Sequence, residues 1–168
     1  MRISKQPALC AAIACLLLSF VFAVALQAEP LSGKVERIYD GDTVRVAGIG
    51  KVRLLGIDAP ERKASERDRF YAKRGVSPHR LRQIAEDARR FTTRMSKGQT
   101  VRLTFDSERR DDYGRLLAYV HLPDGRLLNR LLLEQGYAAV YRRADFRLKD
   151  DFFAAEAAAK EKKLGLWQ

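Results

Sequence analysis

Three short segments concentrate the residues able to do chemistry: Asp40-Gly41-Asp42-Thr43, the run from Arg53 through Asp58 to Glu61, and Asp111-Asp112-Tyr113-Gly114-Arg115. Each has an ordinary reading when taken alone. Asp-Gly-Asp is a common turn, Asp58 before Ala59-Pro60 can be a strand end, and Arg115 can be an exposed charge opening a strand. Their combination carries more. Strand alternation sets Arg53 on the face opposite Leu54, within an otherwise apolar run, and an Arg there needs an anionic partner. Asp42 and Asp58 flank it, and two neighbouring carboxylates repel unless a cation joins them. Oxygen donors without a Cys/His cluster select Ca²⁺ or Mg²⁺. Glu61 then stands free to act as base towards water. Arg53 and Arg115 can hold a phosphate through forked, charge-assisted hydrogen bonds. A metal ion with two guanidiniums is equipment for stabilising the extra negative charge of phosphoryl-transfer chemistry.

These groups must be positioned by short elements. From Ser32 to Asp58 brief β-branched runs (Val35 and Ile38, Val44 and Val46, Val52 with Leu54 and Leu55) are broken by Asp40-Gly41-Asp42 and Gly48-Ile49-Gly50. Residues 62–82 are charged and poor in apolar side chains, and read as a solvent-exposed loop. Ser77-Pro78 offers an N-cap and first helical position. Leu81, Ile84, Ala85, Ala88, Phe91 and Met95 follow at helical spacing, so a helix ends before Gly98. Strands are expected over residues 100–105 and 116–122, a short helix over 127–135 stopped by Gly136, and a terminal helix over 146–164. The whole is an α+β domain whose strands suit a small, strongly bent antiparallel barrel.

The 168 residues suffice for one domain, and the formal net charge is +11. Residues 1–28 read as a leader: Arg2 and Lys5 precede a nearly wholly apolar run, with small residues at Ala23-Val24-Ala25 and at Ala28 as cleavage candidates. A cleaved secretory signal is the favoured reading. An uncleaved membrane anchor is the alternative, because the run approaches the roughly 20 residues that span a bilayer. Both cysteines, Cys10 and Cys15, lie in this leader, so the domain at 29–168 has neither a disulfide nor a thiolate. Outside the leader the chain keeps 30 basic against 21 acidic residues, a net charge of +9 that favours polyanionic partners. Charge alone does not choose between nucleic acid, anionic membrane and acidic polysaccharide.

The motifs choose. The D-G-D-T turn, R-L-L-x-I-D-x-P-E from Arg53 to Glu61, D-x-Y-G-R-x-L-A-Y from Asp111 to Tyr119, N-x-x-L-x-x-Q-G-Y-A from Asn129 to Ala138 and the closing L-G-L-W occur in order. With these the chain resembles the thermonuclease (staphylococcal nuclease-like) family over residues 33–168. The resemblance implies a five-stranded oligonucleotide-binding (OB) β-barrel with three helices. It implies a Ca²⁺ site from Asp42, Asp58 and the backbone carbonyl of Ala59, Glu61 as general base, and Arg53 and Arg115 as phosphate-binding residues. Tyr113 falls beside the nucleotide and Tyr141 near the tyrosines that line the nucleotide pocket. The implied activity is an exported, monomeric, Ca²⁺-dependent endonuclease acting on DNA and RNA by water attack and leaving 3′-phosphates. The protein would be secreted or periplasmic, and membrane-bound only through an uncleaved leader. A non-catalytic nucleic-acid-binding OB-fold module is the alternative. Two departures stand out: Asp112 replaces an expected lysine, and the 62–82 segment is longer and more basic than the family pattern.

Overall fold

The computed structural model describes residues 31–168; the segment read as a leader, with Cys10, Cys15 and both cleavage candidates, lies outside them. Five strands close a barrel: β1 (Leu31–Ile38), β2 (Thr43–Val46), β3 (Gly50–Leu54), β5 (Thr100–Thr104) and β6 (Leu116–His121). Their order around it is β1-β2-β3-β6-β5. Two very short strands, β4 (Ile57–Asp58) and β7 (Ala139–Val140), pair outside it. The first strand divides its length between its two neighbours: β1 pairs with β5 through Leu31 to Lys34 and with β2 from Val35 onward. A register shift between Val35 and Arg37 supplies the bend between the two pairings.

The OB barrel and the α+β class match the expectation, with two corrections. The barrel is mixed rather than antiparallel, because β3 runs parallel to β6, Arg53 facing Leu117 across the pair. A parallel pairing needs a long crossover, here supplied by everything between Leu54 and Leu116, so no local pattern announces it. There are also four helices rather than three among the described residues: α1 (Asp68–Ala72), α2 (Pro78–Ser96), α3 (Leu128–Glu134) and α4 (Lys149–Glu161). The extra one, α1, lies in the segment read as an exposed loop. It forms because Tyr71 and Val76 are apolar anchors, 1% and 8% exposed, which pack with Leu81, Ile84 and Leu166. Five residues are too few to show a helical period, and the surrounding charges mask the anchors.

The longer helices follow from their sequences. Ser77 caps α2, its side chain accepting from the Arg80 N–H, with Pro78 at the first helical position. Leu81, Ile84, Ala85, Ala88 and Phe91 are buried along one face. In α4 the buried face is Phe152, Ala155, Glu156 and Ala159. Asn129, fully buried at the start of α3, accepts from the Val120 N–H at 2.9 Å and donates to Leu55 O at 2.9 Å and Ala118 O at 3.2 Å. That one amide fastens α3 to β6 and to the turn leaving β3. No described helix is long and apolar enough to cross a membrane.

Candidate active site

The site begins at the turn between β1 and β2. Asp40 accepts from the Asp42 N–H at 3.0 Å, a side-chain-closed turn that fixes residue 42 just before β2. Gly41 permits the next contact. A Cβ there would lie 2.7 Å from the Cβ of Ala88 on α2 and 2.8 Å from that of Ala59. Its carbonyl accepts from Thr92 Oγ1 at 2.7 Å. The Asp-Gly-Asp turn is thus pressed between the long helix and the segment after β4. Asp42 Oδ2 accepts from the Ala59 N–H at 2.6 Å, which sets the peptide of residue 59 beside the carboxylates.

Arg53 leaves β3 on the side opposite buried Leu54, as alternation requires, and lies between Asp42 and Asp58. Its Nη2 donates to Asp58 Oδ1 at 3.0 Å. Its Nη1 faces Asp42 Oδ2 closely, without the alignment of a hydrogen bond. Asp42 and Asp58 are only 5% and 8% exposed. The charge balance around them is unusual: Asp40, Asp42 and Asp58 crowd one buried guanidinium. Burial, reinforced by the charge of Asp42, pushes the Asp40 carboxyl up to about 7. Burial also raises Asp58 to about 6, partly opposed by Arg53 and reinforced by Asp42. Burial acts to lower Arg53, but the three carboxylates outweigh it and the net shift is upward.

Two residues that sequence reasoning missed complete the surroundings of Asp58. Arg67, just before α1, grips it with both arms, Nε to Oδ2 at 2.9 Å and Nη2 to Oδ1 at 2.8 Å. Buried Tyr71 on α1 donates to the Asp58 carbonyl at 2.9 Å and approaches Oδ2 at 3.4 Å. Burial and the charge of Asp58 together raise the Tyr71 hydroxyl well above its ordinary value, so it stays a donor. The segment read as solvated therefore folds back onto the acid pair. Only the Phe70-Tyr71 pair, set among charges, hinted at an anchored element. Asp40, plain in the Asp-Gly-Asp turn, was not expected to join the buried acids.

The other candidates spread outward. Arg115 lines a groove of about 390 Å³ together with Arg53, Arg67, Tyr113 and Tyr141. It is held by Asp111, which accepts from its Nε at 2.7 Å and from its N–H at 2.9 Å. Tyr113 is 84% exposed, with the Arg115 guanidinium 5.4 Å from its ring centre. Tyr141 lies under Arg67, also at 5.4 Å. Glu61 is exposed in an irregular segment and makes no side-chain hydrogen bond with the described residues. The structure thus gathers Asp42, Arg53, Asp58 and Ala59 tightly, sets Arg115, Tyr113 and Tyr141 along one groove, and leaves Glu61 exposed and outside the lining of that groove.

A cation fits this chemistry in part. No three His, Cys, Asp or Glu side chains converge into a metal cage among the described residues. Yet the donors are all hard oxygens, which suit Ca²⁺ or Mg²⁺, and Asp42 and Asp58 are brought together on either side of Arg53. Asp42, Asp58 and the residue 59 peptide offer an incomplete set that water would complete, as an open catalytic site requires.

A closed barrel with acids and guanidiniums gathered at one end places the protein among OB-fold proteins carrying a polar reaction pocket. Comparison with known proteins specifies which. The family model described as staphylococcal nuclease homologue matches residues 51–168. The chain is 40% identical to an uncharacterized protein of Methanocaldococcus jannaschii over 151 residues, covering 83% of this chain and 72% of the relative. It is 32% identical to the thermonuclease of Staphylococcus hyicus over 139 residues, covering 80% and 74%. It is 31% identical to an uncharacterized endonuclease of Escherichia coli O157:H7 over 158 residues, covering 90% and 86%. The chain belongs to the staphylococcal nuclease homologue family.

Proposed function

We propose that this protein is an exported, monomeric, Ca²⁺-dependent endonuclease that hydrolyses phosphodiester bonds of DNA and RNA. The observation that carries the reading is the buried acid pair around Arg53, opening beside the groove that holds Arg115. Family membership and relatives named thermonuclease and endonuclease support it. Asp42, Asp58 and the Ala59 carbonyl would hold Ca²⁺, whose charge would stabilise negative charge building on the phosphoryl oxygens. Arg53 and Arg115 bind the scissile phosphate through their forked N–H groups. Tyr113 and Tyr141 contact the nucleotide along the groove. Glu61, exposed and without a partner among the described residues, takes a proton from the attacking water. The water oxygen bonds to phosphorus, the bond from phosphorus to O5′ breaks, and the departing oxygen takes a proton from solvent water. The products are a 3′-phosphate and a 5′-hydroxyl.

Incubation of plasmid DNA and RNA with the protein in Ca²⁺, then with excess chelator, tests the claim. Cleavage that stops with chelator is expected; binding without cleavage in Ca²⁺ would instead establish a non-catalytic OB module. The role of Glu61 has its own test. Glu61→Gln should lower turnover by about 100-fold or more while Ca²⁺ affinity, measured calorimetrically, stays near wild type. A variant cutting at the wild-type rate removes Glu61 from the mechanism. Mass spectrometry of the native N-terminus tests export, an intact Met1 counting against a cleaved leader.

A further inference from the structure

A second groove, of about 480 Å³, adjoins the reaction pocket and reaches Asp58 of the acid pair. The two share Arg67, Tyr141 and Arg143, so they adjoin along those side chains. Their charges differ sharply. The reaction pocket is lined by four arginines but five acids, Asp106, Glu108, Asp111, Asp112 and Asp145. The second groove is lined by Arg67, Arg69, Lys73, Arg142 and Arg143 against only Asp58 and Glu66. A polyanion is therefore drawn to the second groove rather than to the pocket where it reacts.

The cations there differ in availability. Arg67 is engaged by Asp58 and Arg142 by Glu156. Arg69, Lys73 and Arg143 are exposed and have no carboxylate partner among the described residues. Arg69 and Lys73 stand four residues apart on α1 and its C-cap, hence on one face, and Arg143 faces the groove from the segment after β7. Phe70 and Tyr141 add aromatic surface to the same walls. Unpaired cations interleaved with rings are what single-stranded nucleic acid requires, phosphates on the charges and bases against the rings.

We propose that this groove binds the single strand of DNA or RNA continuing beyond the scissile phosphate, with Arg69, Lys73 and Arg143 as its phosphate contacts. The proposal rests on the nuclease reading and assigns to α1 the affinity that the acid-rich reaction pocket lacks. It also accounts for the long basic segment, since α1 and its C-cap carry two of the three free cations and Arg67 at its start joins the two grooves.

Two probes separate strand binding from chemistry. Fluorescein-labelled dodecathymidylate, in chelator so that it is not cut, reads strand binding by anisotropy. The p-nitrophenyl ester of thymidine 5′-phosphate, in Ca²⁺, reads the reaction pocket alone. Arg69→Glu with Lys73→Glu should weaken dodecamer binding by about 10-fold or more at low salt. It should also reduce the slope of log affinity against log salt by about 1.4, two single-strand phosphate contacts' worth. Ester hydrolysis should be retained, since neither residue lines the reaction pocket. The milder Arg69→Gln with Lys73→Gln should give a smaller loss with the same reduction in slope, and serves if the reversal unfolds α1. Unchanged affinity and slope would overturn the proposal. So would an equal loss from Lys97→Glu with Lys162→Glu, exposed residues outside the groove, because the effect would then be net charge. Wild-type protein that binds the dodecamer but cuts neither DNA, RNA nor the ester would overturn the nuclease reading and leave the groove standing.

Discussion

Arg53 and Arg115 carry the same guanidinium in different settings, and the difference separates their expected behaviour. Arg53 is wedged between two nearly buried carboxylates, so removing it leaves them uncompensated. Arg53→Ala should cost about 3–5 kcal/mol of stability in a denaturant titration, besides abolishing cleavage. Arg115 is partly exposed and tied to a single aspartate. Arg115→Ala should cost about 1 kcal/mol or less, while the rate falls by about 100-fold or more. Equal stability losses would show that Arg53 is not the counter-charge of the acid pair. Much of this is legible in the sequence, because alternation alone turns Arg53 away from Leu54 and towards an acid. The roles of Arg67 and Tyr71 are not legible there, although the Phe70-Tyr71 pair marks an anchor. Their partner is Asp58, and nothing in a run of charges tells which arginine will turn inward.

Short elements are held by buried polar groups reaching them from elsewhere. The two-residue strand β7 depends on Glu156 of α4, whose Oε1 accepts from the Val140 N–H at 2.9 Å. Its other oxygen takes Arg142 and Lys160. Burial would raise this carboxyl, but the hydrogen bonds from Arg142, Lys160 and Val140 prevail and it is lowered. A carboxylate lowered on folding stabilises the native state above its unfolded value of about 4.5, and that contribution disappears as pH falls through the folded value. Glu156→Gln should therefore destabilise by about 2–4 kcal/mol at pH 7, with a smaller gap from wild type in acid. Urea titrations at pH 7 and pH 3 measure this; a gap independent of pH would remove the charge from the explanation. At this scale the sequence tells more about long elements than short ones. The cap and apolar face of α2 are plain in Ser77-Pro78 and Leu81 to Phe91. By contrast, β7 and α1 take their form from packing rather than from a period of their own, and the parallel β3–β6 contact joins segments far apart in the chain.

Across the whole molecule, the closing L-G-L-W sequence reaches back to the turn after α3. Leu166 N–H donates to Gly136 O at 2.9 Å, and Trp167 lies beneath the Lys160 ammonium, 4.6 Å from its ring centre. The approach admits no side chain: a Cβ on Gly136 would sit 2.2 Å from the Leu164 carbonyl oxygen. With φ at +65° besides, Gly136→Ala should cost about 2 kcal/mol or more by thermal unfolding, and a neutral result would deny the backbone contact. The β4–β7 pairing, which sets Asp58 against Ala139, has a consequence in time rather than in space. Synthesis delivers Asp42, Arg53 and Asp58 early, but the strand that braces Asp58 arrives only with Ala139, and Glu156, which holds that strand, arrives later still. A growing chain therefore holds Asp42, Arg53 and Asp58 for about 80 residues of synthesis before the strand that braces Asp58 exists.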